Sequence, residues 1–279
     1  MINTNFQDIV NHLKNDLLIE PEALVWLHSG VIGMGVLDEG IVTITNAFEK
    51  VLANGALVIP TFTYSWCSGV SFDPNRSKCP DVGAYAEKAW QDDRFIRNNN
   101  PNFSIAVMDN TDNEEVKNEI CDISTSSTCF GEGSVFEKMW QISLDRPGYI
   151  LLLGGAHNDV VFRTTFLHMV EEKVGIPYRY NKYFYNPEDK DDRVGQYVRY
   201  LSKEEYQSQN NKLPPPNLEF PIISKYNKLG QDVQNDGLLV KKKFAYSQSR
   251  MVPINRFCTW LMSKLEKEPT FTPKEESRP

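Results

Sequence analysis

Apolar residues recur along the chain with two alternating periods, and the alternation predicts an order of elements. In "NFQDIVNHLKNDLL" (residues 5–18), Phe6, Ile9, Val10, Leu13 and Leu17 fall at helical spacing. "EALVWLHSG" is a short buried strand ending in a turn. "LDEGIVTITNAFEKVLANG" returns to the helical period and stops at Gly55, a C-terminal cap. "ALVIPTFT" is a second strand, and strand, turn, helix and strand in this order predict a crossover unit in a parallel sheet. Further on, "VGAYAEKAWQD" is a helix, "FSIAVMD" a third strand, "DNEEVKNEICD" a helix and "GEGSVFEKMWQI" a turn feeding another helix. "YILLLGG" is apolar on both faces, which suits a covered sheet. "AHNDVVFRTTFLHMVEEKVG" is a loop and a helix closed by Gly175 and Pro177.

From residue 178 the texture changes to aromatic and charged, in "YRYNKYFYNPEDKDDR". "GQYVRYL" predicts a strand in an antiparallel addition, and the three prolines of "NNKLPPPNLEFP" mark a boundary or stiff connection. A strand pair and a terminal helix follow in "GLLVKKKFAYSQSRMVPINRFCTWLMSKLEK". The expected fold is α/β, with a mixed central sheet flanked by helices and antiparallel additions in the C-terminal part. Residues 1–265 are expected to form a single domain and residues 266–279 a flexible tail.

Composition narrows the function classes. The 279 residues are 41% hydrophobic and 24% charged, as in an ordinary globular chain. No apolar run approaches the ~20 residues of a membrane helix, and "MINTNFQDIV" lacks a secretory pattern. A net charge of −7 argues against nucleic acid as a partner. Five cysteines without a C-x-x-C pair argue against a disulfide framework or a structural zinc site and for a reduced, cytoplasmic compartment. They read as small apolar residues, with a nucleophile among them the alternative.

Two constellations carry candidate chemistry. Gly30, Gly33 and Gly35 lie in a turn between a strand and a helix, where free N–H groups attract anions and Ser29 adds a hydroxyl. The spacing matches neither a P-loop nor G-x-G-x-x-G, so a structural turn and a phosphate site both stay open. His168 and Glu171 lie at i and i+3 on one helix face, where a carboxylate can orient an imidazole as a general base. A solvated helix face is the alternative. His157, eleven positions upstream of His168, does not make metal-ligand spacing, so no metal is expected. No G-x-S-x-G elbow is present.

Six blocks in order resemble the aminoglycoside 3-N-acetyltransferase family, over roughly residues 5–180: "HSGVIGMG", "GALVIPTFTYS", "FDPNRSKCPDVGAYAEKAW", "NPNFSIAV", "GEGSVFEKMWQ" and "ILLLGG…TFLHMVEE". The resemblance implies a mixed α/β fold and an N-acyltransferase that draws its acyl group from acetyl-coenzyme A, without a metal. It implies that His168 is the base and Glu171 orients it. Ser29, Gly30, Val31, Gly33, Met34 and Gly35 would hold coenzyme A phosphates, with Thr61 and Ser104 near the pantetheine and thioester. Three departures stand out: Asn100 replaces the family histidine before proline, Gly30 replaces a serine, and the loop around Asn158–Arg163 is longer.

On the acceptor side, expected to be shaped by residues 178–265, Thr165 is either an oxyanion donor or a helix cap. Tyr64, Trp66 and Tyr178 are candidates for stacking on a sugar, and Asp73, Glu132, Asp159 and Glu172 for attracting an amine. Arg179 and Lys182 are candidates for meeting a diphosphate. "VGIPYRYNKYF" resembles members found with sugar-biosynthesis proteins, which implies an amino sugar, nucleotide-linked, for surface-polysaccharide synthesis. An aminoglycoside acceptor, with antibiotic resistance as the outcome, is the alternative. A homodimer, a non-catalytic binder on the same fold and a metal hydrolase using His157 and His168 remain further alternatives.

Overall fold

Alternate residues of the central strands bury into two separate apolar layers, one on each face of the sheet. The computed structural model describes residues 2–121, 128–155, 162–189, 191, 193–216 and 218–273. Its strands are β1 (Asn3–Thr4), β2 (Leu24–Ser29), β3 (Val36–Leu37), β4 (Ala56–Pro60), β5 (Ile96–Arg97), β6 (Ile105–Asp109), β7 (Gly148–Gly155), β8 (Arg179–Tyr185), β9 (Arg193–Arg199), β10 (Val240–Phe244) and β11 (Ser247–Pro253). Its α-helices are α1 (Phe6–Asn11), α2 (Val42–Val51), α3 (Ala84–Ala89), α4 (Glu115–Cys121), α5 (Val135–Asp145), α6 (Phe166–Val174), α7 (Lys203–Asn210), α8 (Tyr226–Asn235) and α9 (Ile254–Lys267).

The main sheet runs β10-β11-β7-β2-β4-β6-β5. Strands β7, β2 and β4 are parallel, with α2 as the crossover between β2 and β4. The outer neighbours pair antiparallel on both sides. Leu24, Trp26, Val58 and Ile150 point into one layer with α5, α6 and α9. Val25, Leu27, Leu57, Ile59 and Leu151 point into the other with α1 and α2. This is why these strands read as continuous apolar runs. Helix α2 shows the matching logic, since Ile44, Phe48 and Val51 make its buried stripe.

The residues after 178 depart from the sequence reading. The stretch taken only as aromatic and charged forms β8, which pairs with β9 in its own antiparallel hairpin outside the main sheet. Helices α7 and α8 flank the proline-rich connection and were not predicted. Ser202 caps α7 by accepting from the Glu205 N–H at 3.1 Å, and α8 buries Leu229 and Val233 one turn apart. The expected flexible tail is packed as far as it is described: Phe271 and Thr272 are buried. Residues 274–279 lie outside the described residues.

The glycine turn after β2 is held by close packing. A Cβ at Gly30 would stand 2.5 Å from the Gly154 carbonyl oxygen, and one at Gly33 would collide with the same atom. The Gly30 N–H donates to the Leu153 carbonyl at 2.7 Å, and the Gly33 N–H to that of Gly30 at 3.0 Å. The turn therefore clamps onto the end of β7. Gly33→Ala is expected to destabilise the protein by about 2 kcal/mol through overpacking. A urea midpoint equal to that of the wild type would contradict this.

Candidate active site

Helix α6 follows β7 in the chain and packs against α9 and α5. Phe166, Leu167, Met169, Val170 and Glu171 are buried, and Gly175, at φ 72°, closes the helix in the left-handed region. This rotation leaves His168 at the rim of the buried face and sends Glu171, one turn on, wholly inside. The two form the expected pair: His168 Nδ1 lies 3.3 Å from Glu171 Oε2.

A fully buried carboxylate requires partners, and Glu171 draws them from three parts of the chain. Thr272, after α9, donates its hydroxyl to Oε1 at 2.7 Å. The Tyr178 phenol lies 3.2 Å from the same oxygen and closer still to the Thr272 hydroxyl, so its single proton goes to one or the other. Arg179, the first residue of β8, brings Nε within 2.6 Å of Oε2. That contact is off the donor axis and acts as an ion pair rather than a hydrogen bond. Arg179 also donates Nη1 to the Tyr197 carbonyl at 2.7 Å and places Nη2 2.8 Å from His168 Nδ1. Burial pushes the Glu171 carboxyl up, but the Arg179 charge, the contact with His168 and the Arg199 charge outweigh it and hold it down at about 2. For His168, burial and the Arg179 charge together lower the imidazole to about 4. His168 is therefore neutral at pH 7, as a base must be.

His168 faces a cavity of about 430 Å³, within the ordinary range for a small-molecule site. Tyr64, Phe103, Phe130 and Thr165 line it from the main body, and both strands of the β8–β9 hairpin line it from the other side. The Thr165 hydroxyl makes no capping bond and has no partner, although it is buried. A buried hydroxyl is thus left unpartnered in a residue that lines the same cavity as His168. The cavity also contains Arg179, Lys182 and Arg199. Glu205, the one carboxylate among the described lining residues, is already bound by the Tyr180 hydroxyl and the Leu201 N–H, each at 2.6 Å.

Several expected site residues are placed elsewhere. Tyr178 is fully buried and supports Glu171, so it offers no stacking face to a sugar. Thr61 and Ser104 do not line the cavity. They are fully buried, and their hydroxyls accept from Arg97 at 3.0 Å, together with Thr63. Asp73 caps its own turn by accepting from the Asn75 N–H. Glu172 and Glu132 face a neighbouring cavity of about 720 Å³ instead, and burial raises the Glu172 carboxyl. In the Ser29–Gly35 turn, the N–H groups of Gly30, Gly33 and Gly35 are all spent on backbone carbonyls, which takes three donors away from a phosphate. Burial pushes the Cys67 thiol up to about 11 and Cys79 to about 12, unlike nucleophilic thiols. His157, Asp159 and residues 158–161 of the loop before α6 lie outside the described residues. Among the described residues no group of three His, Cys, Asp or Glu side chains is arranged for a metal, and no helix is long and apolar enough to cross a membrane.

The aminoglycoside 3-N-acetyltransferase family profile matches residues 26–266. The chain belongs to this family. Similar solved structures include aminoglycoside acetyltransferase AAC(3)-IVa as apoenzyme, at TM-score 0.73 and 16% identity, covering 98% of this chain and 92% of that one. The structure described as AAC-IIIb binary with CoASH matches at TM-score 0.71 and 16% identity over 100% of both chains. The YokD protein from Bacillus subtilis matches at TM-score 0.68 and 16% identity, over 97% and 96%. Among curated proteins, none matches by sequence. These likenesses establish the mixed α/β fold.

Membership also puts Asn100 in context. Where the family resemblance would place a histidine, the Asn100 side chain accepts from the N–H groups of Asn102 and Phe103, at 3.1 and 2.9 Å, and fixes a turn that presents Phe103 to the cavity. Sequence reasoning missed Arg199, Gln196 and Thr272. The alternating pattern of "GQYVRYL" signalled a strand, but nothing in it indicated which face meets α6.

The pH dependence of stability follows from the histidines. His28, whose Nε2 accepts from the Trp26 indole, is also lowered to about 4 by burial. Between pH ~6.5 and about 4 the unfolded chain binds protons that the folded one refuses at His28 and His168. Their contribution is complete above the unfolded value and is lost as pH falls through about 4. Urea unfolding at pH 7, 5 and 4 should show losses on the order of 2 kcal/mol per histidine. A stability independent of pH over this range would contradict the assignment.

Proposed function

We propose that this protein is an N-acetyltransferase that transfers an acetyl group from acetyl-coenzyme A to an amine of an aminoglycoside-type acceptor, with His168 as the general base. The observation that carries the proposal is the neutral His168, backed by the buried Glu171, facing a cavity that Thr165, whose buried hydroxyl has no partner, also lines. Family membership sets the reaction class. The neighbours described with gentamicin and sisomicin favour an aminoglycoside over the nucleotide-linked sugar expected from the sequence.

An alkyl ammonium is no nucleophile until it loses one proton, which goes to solvent. His168 takes a second proton, from the neutral amine, as the nitrogen attacks the thioester carbon. The C–N bond forms, the carbonyl oxygen gains charge, and the Thr165 hydroxyl donates to it. Collapse breaks the C–S bond, and the imidazolium returns the proton to the sulfur. Glu171 stabilises the imidazolium in between, as the third member of a triad does. Tyr64, 42% exposed at the rim, is placed to stack on a ring of the acceptor.

A second reading is favoured by the cavity's charge. Arg179, Lys182 and Arg199 line it, and the one carboxylate among the described lining residues is already bound. Such a surface suits an amino sugar that carries an anionic group, including a nucleotide-linked one, better than a polycation. Thiol release from acetyl-coenzyme A with gentamicin-type drugs and with amino nucleotide sugars separates the two readings. No turnover of either class by protein that binds coenzyme A would sink both. With the active acceptor, His168→Ala should lower kcat by about 10²–10⁴-fold. Thr165→Val should lower it by about 10²-fold with little change in KM. A Thr165→Val enzyme with normal kcat would remove the oxyanion role.

A further inference from the structure

His168 Nδ1 has two neighbours whose demands conflict. Glu171 Oε2, at 3.3 Å, can only accept, so it needs a proton on Nδ1. Arg179 Nη2, at 2.8 Å, can only donate, so it needs a lone pair there. The arginine contact is the shorter by 0.5 Å, and 3.3 Å lies outside the usual N–H···O range of about 2.7–3.2 Å. The carboxylate does not depend on the imidazole for a partner. Thr272 donates to Oε1, with the Tyr178 phenol beside it, and Arg179 Nε sits against Oε2. A neutral imidazole that accepts at Nδ1 carries its proton on Nε2, so the ring edge left for the cavity presents an N–H instead of the lone pair a base requires.

We propose that Arg179 is a positioning residue that holds His168 in the non-basic tautomer in the free enzyme, and that catalysis begins when an anionic group on an incoming substrate draws its guanidinium off Nδ1. This rests on the reading of His168 as base. Arg179 is 4% exposed at its side chain, yet it reaches the cavity wall beside Lys182 and Arg199, where an anion entering the cavity meets it. Once Nδ1 is released, the imidazole loses one proton at Nε2 to water and gains one at Nδ1, which donates to Glu171. The net proton count is unchanged, and the lone pair now faces the amine. The chain thus keeps its base idle until a substrate with the right charge is seated. That charge is a phosphate or carboxylate, carried either by coenzyme A or by the acceptor.

The tautomer can be read directly, without turnover. Nitrogen-15 NMR of the histidine side chains, with His168 assigned by loss of its signals in His168→Asn, should find the proton on Nε2 in the free protein at pH 7. Addition of coenzyme A alone, or of uridine diphosphate alone, should move it to Nδ1 in the arm that supplies the anion. A proton on Nδ1 in the free protein overturns the proposal. So does an Nε2 proton that stays in place with both compounds bound. Arg179→Lys, which keeps the charge but cannot span both partners, should show the Nδ1 tautomer without any ligand, and an unchanged tautomer would count against the lock. If that variant does not fold, the wild-type spectra still decide. An enzyme that acylates no amine leaves the tautomer result standing, so the two readings fail separately.

Discussion

The site depends on one buried charge. Glu171 has no exposed surface, and an ionised carboxylate in that position is tolerable only with close partners. Those partners are Arg179 from β8, Tyr178 from the link before it and Thr272 from the segment after α9, with His168 beside them on the same helix. The carboxylate is therefore the tie that joins α6, the β8–β9 hairpin and the C-terminal segment beside His168. Removing its charge would leave Arg179 buried and unpaired, so the chemistry and the local packing cannot be separated at this residue.

The hairpin carries a second consequence of that charge. Arg179 and Arg199 stand directly opposite each other across β8 and β9, an arrangement that repels when nothing lies between. The negative charge of Glu171 offsets both, and both act to lower its carboxyl. The same two guanidiniums, with Lys182, give the cavity a positive wall. The hairpin, and not the helix, thus supplies the basic side chains among the described residues that line this cavity.

Around this site the fold supplies rigidity. The parallel core β7-β2-β4 is buried on both faces, and the turn after β2 is clamped on β7 through Gly30, Gly33 and Gly154. A strand covered by two apolar layers has little freedom to shift, and Phe166, Leu167, Met169 and Val170 of α6 pack into one of those layers. Arg97, held by Thr61, Thr63 and Ser104 and lying over the rings of Phe72 and Trp90, stiffens the neighbouring loops in the same way.

The sequence by itself determined the elements whose signal is local. The β2-α2-β4 crossover, the core strand β7 and the His168–Glu171 pair could all be read, because periodicity and i, i+3 spacing are properties of a single segment. It also marked Gly30 and Gly33 as special, though not the reason, which is the approach of Gly154 from a strand more than a hundred residues away. Thr61 and Ser104 were misplaced because a small hydroxyl at a strand end looks the same whether it meets a ligand or an internal arginine. Tyr178 was read as a contact to substrate, and Thr272 was placed in a frayed tail. Both converge, with Arg179, on one carboxylate. Only the tertiary structure decided these roles, because the charge that organises them is satisfied by groups far apart in the chain, and no local pattern records which distant side chains a buried ion requires.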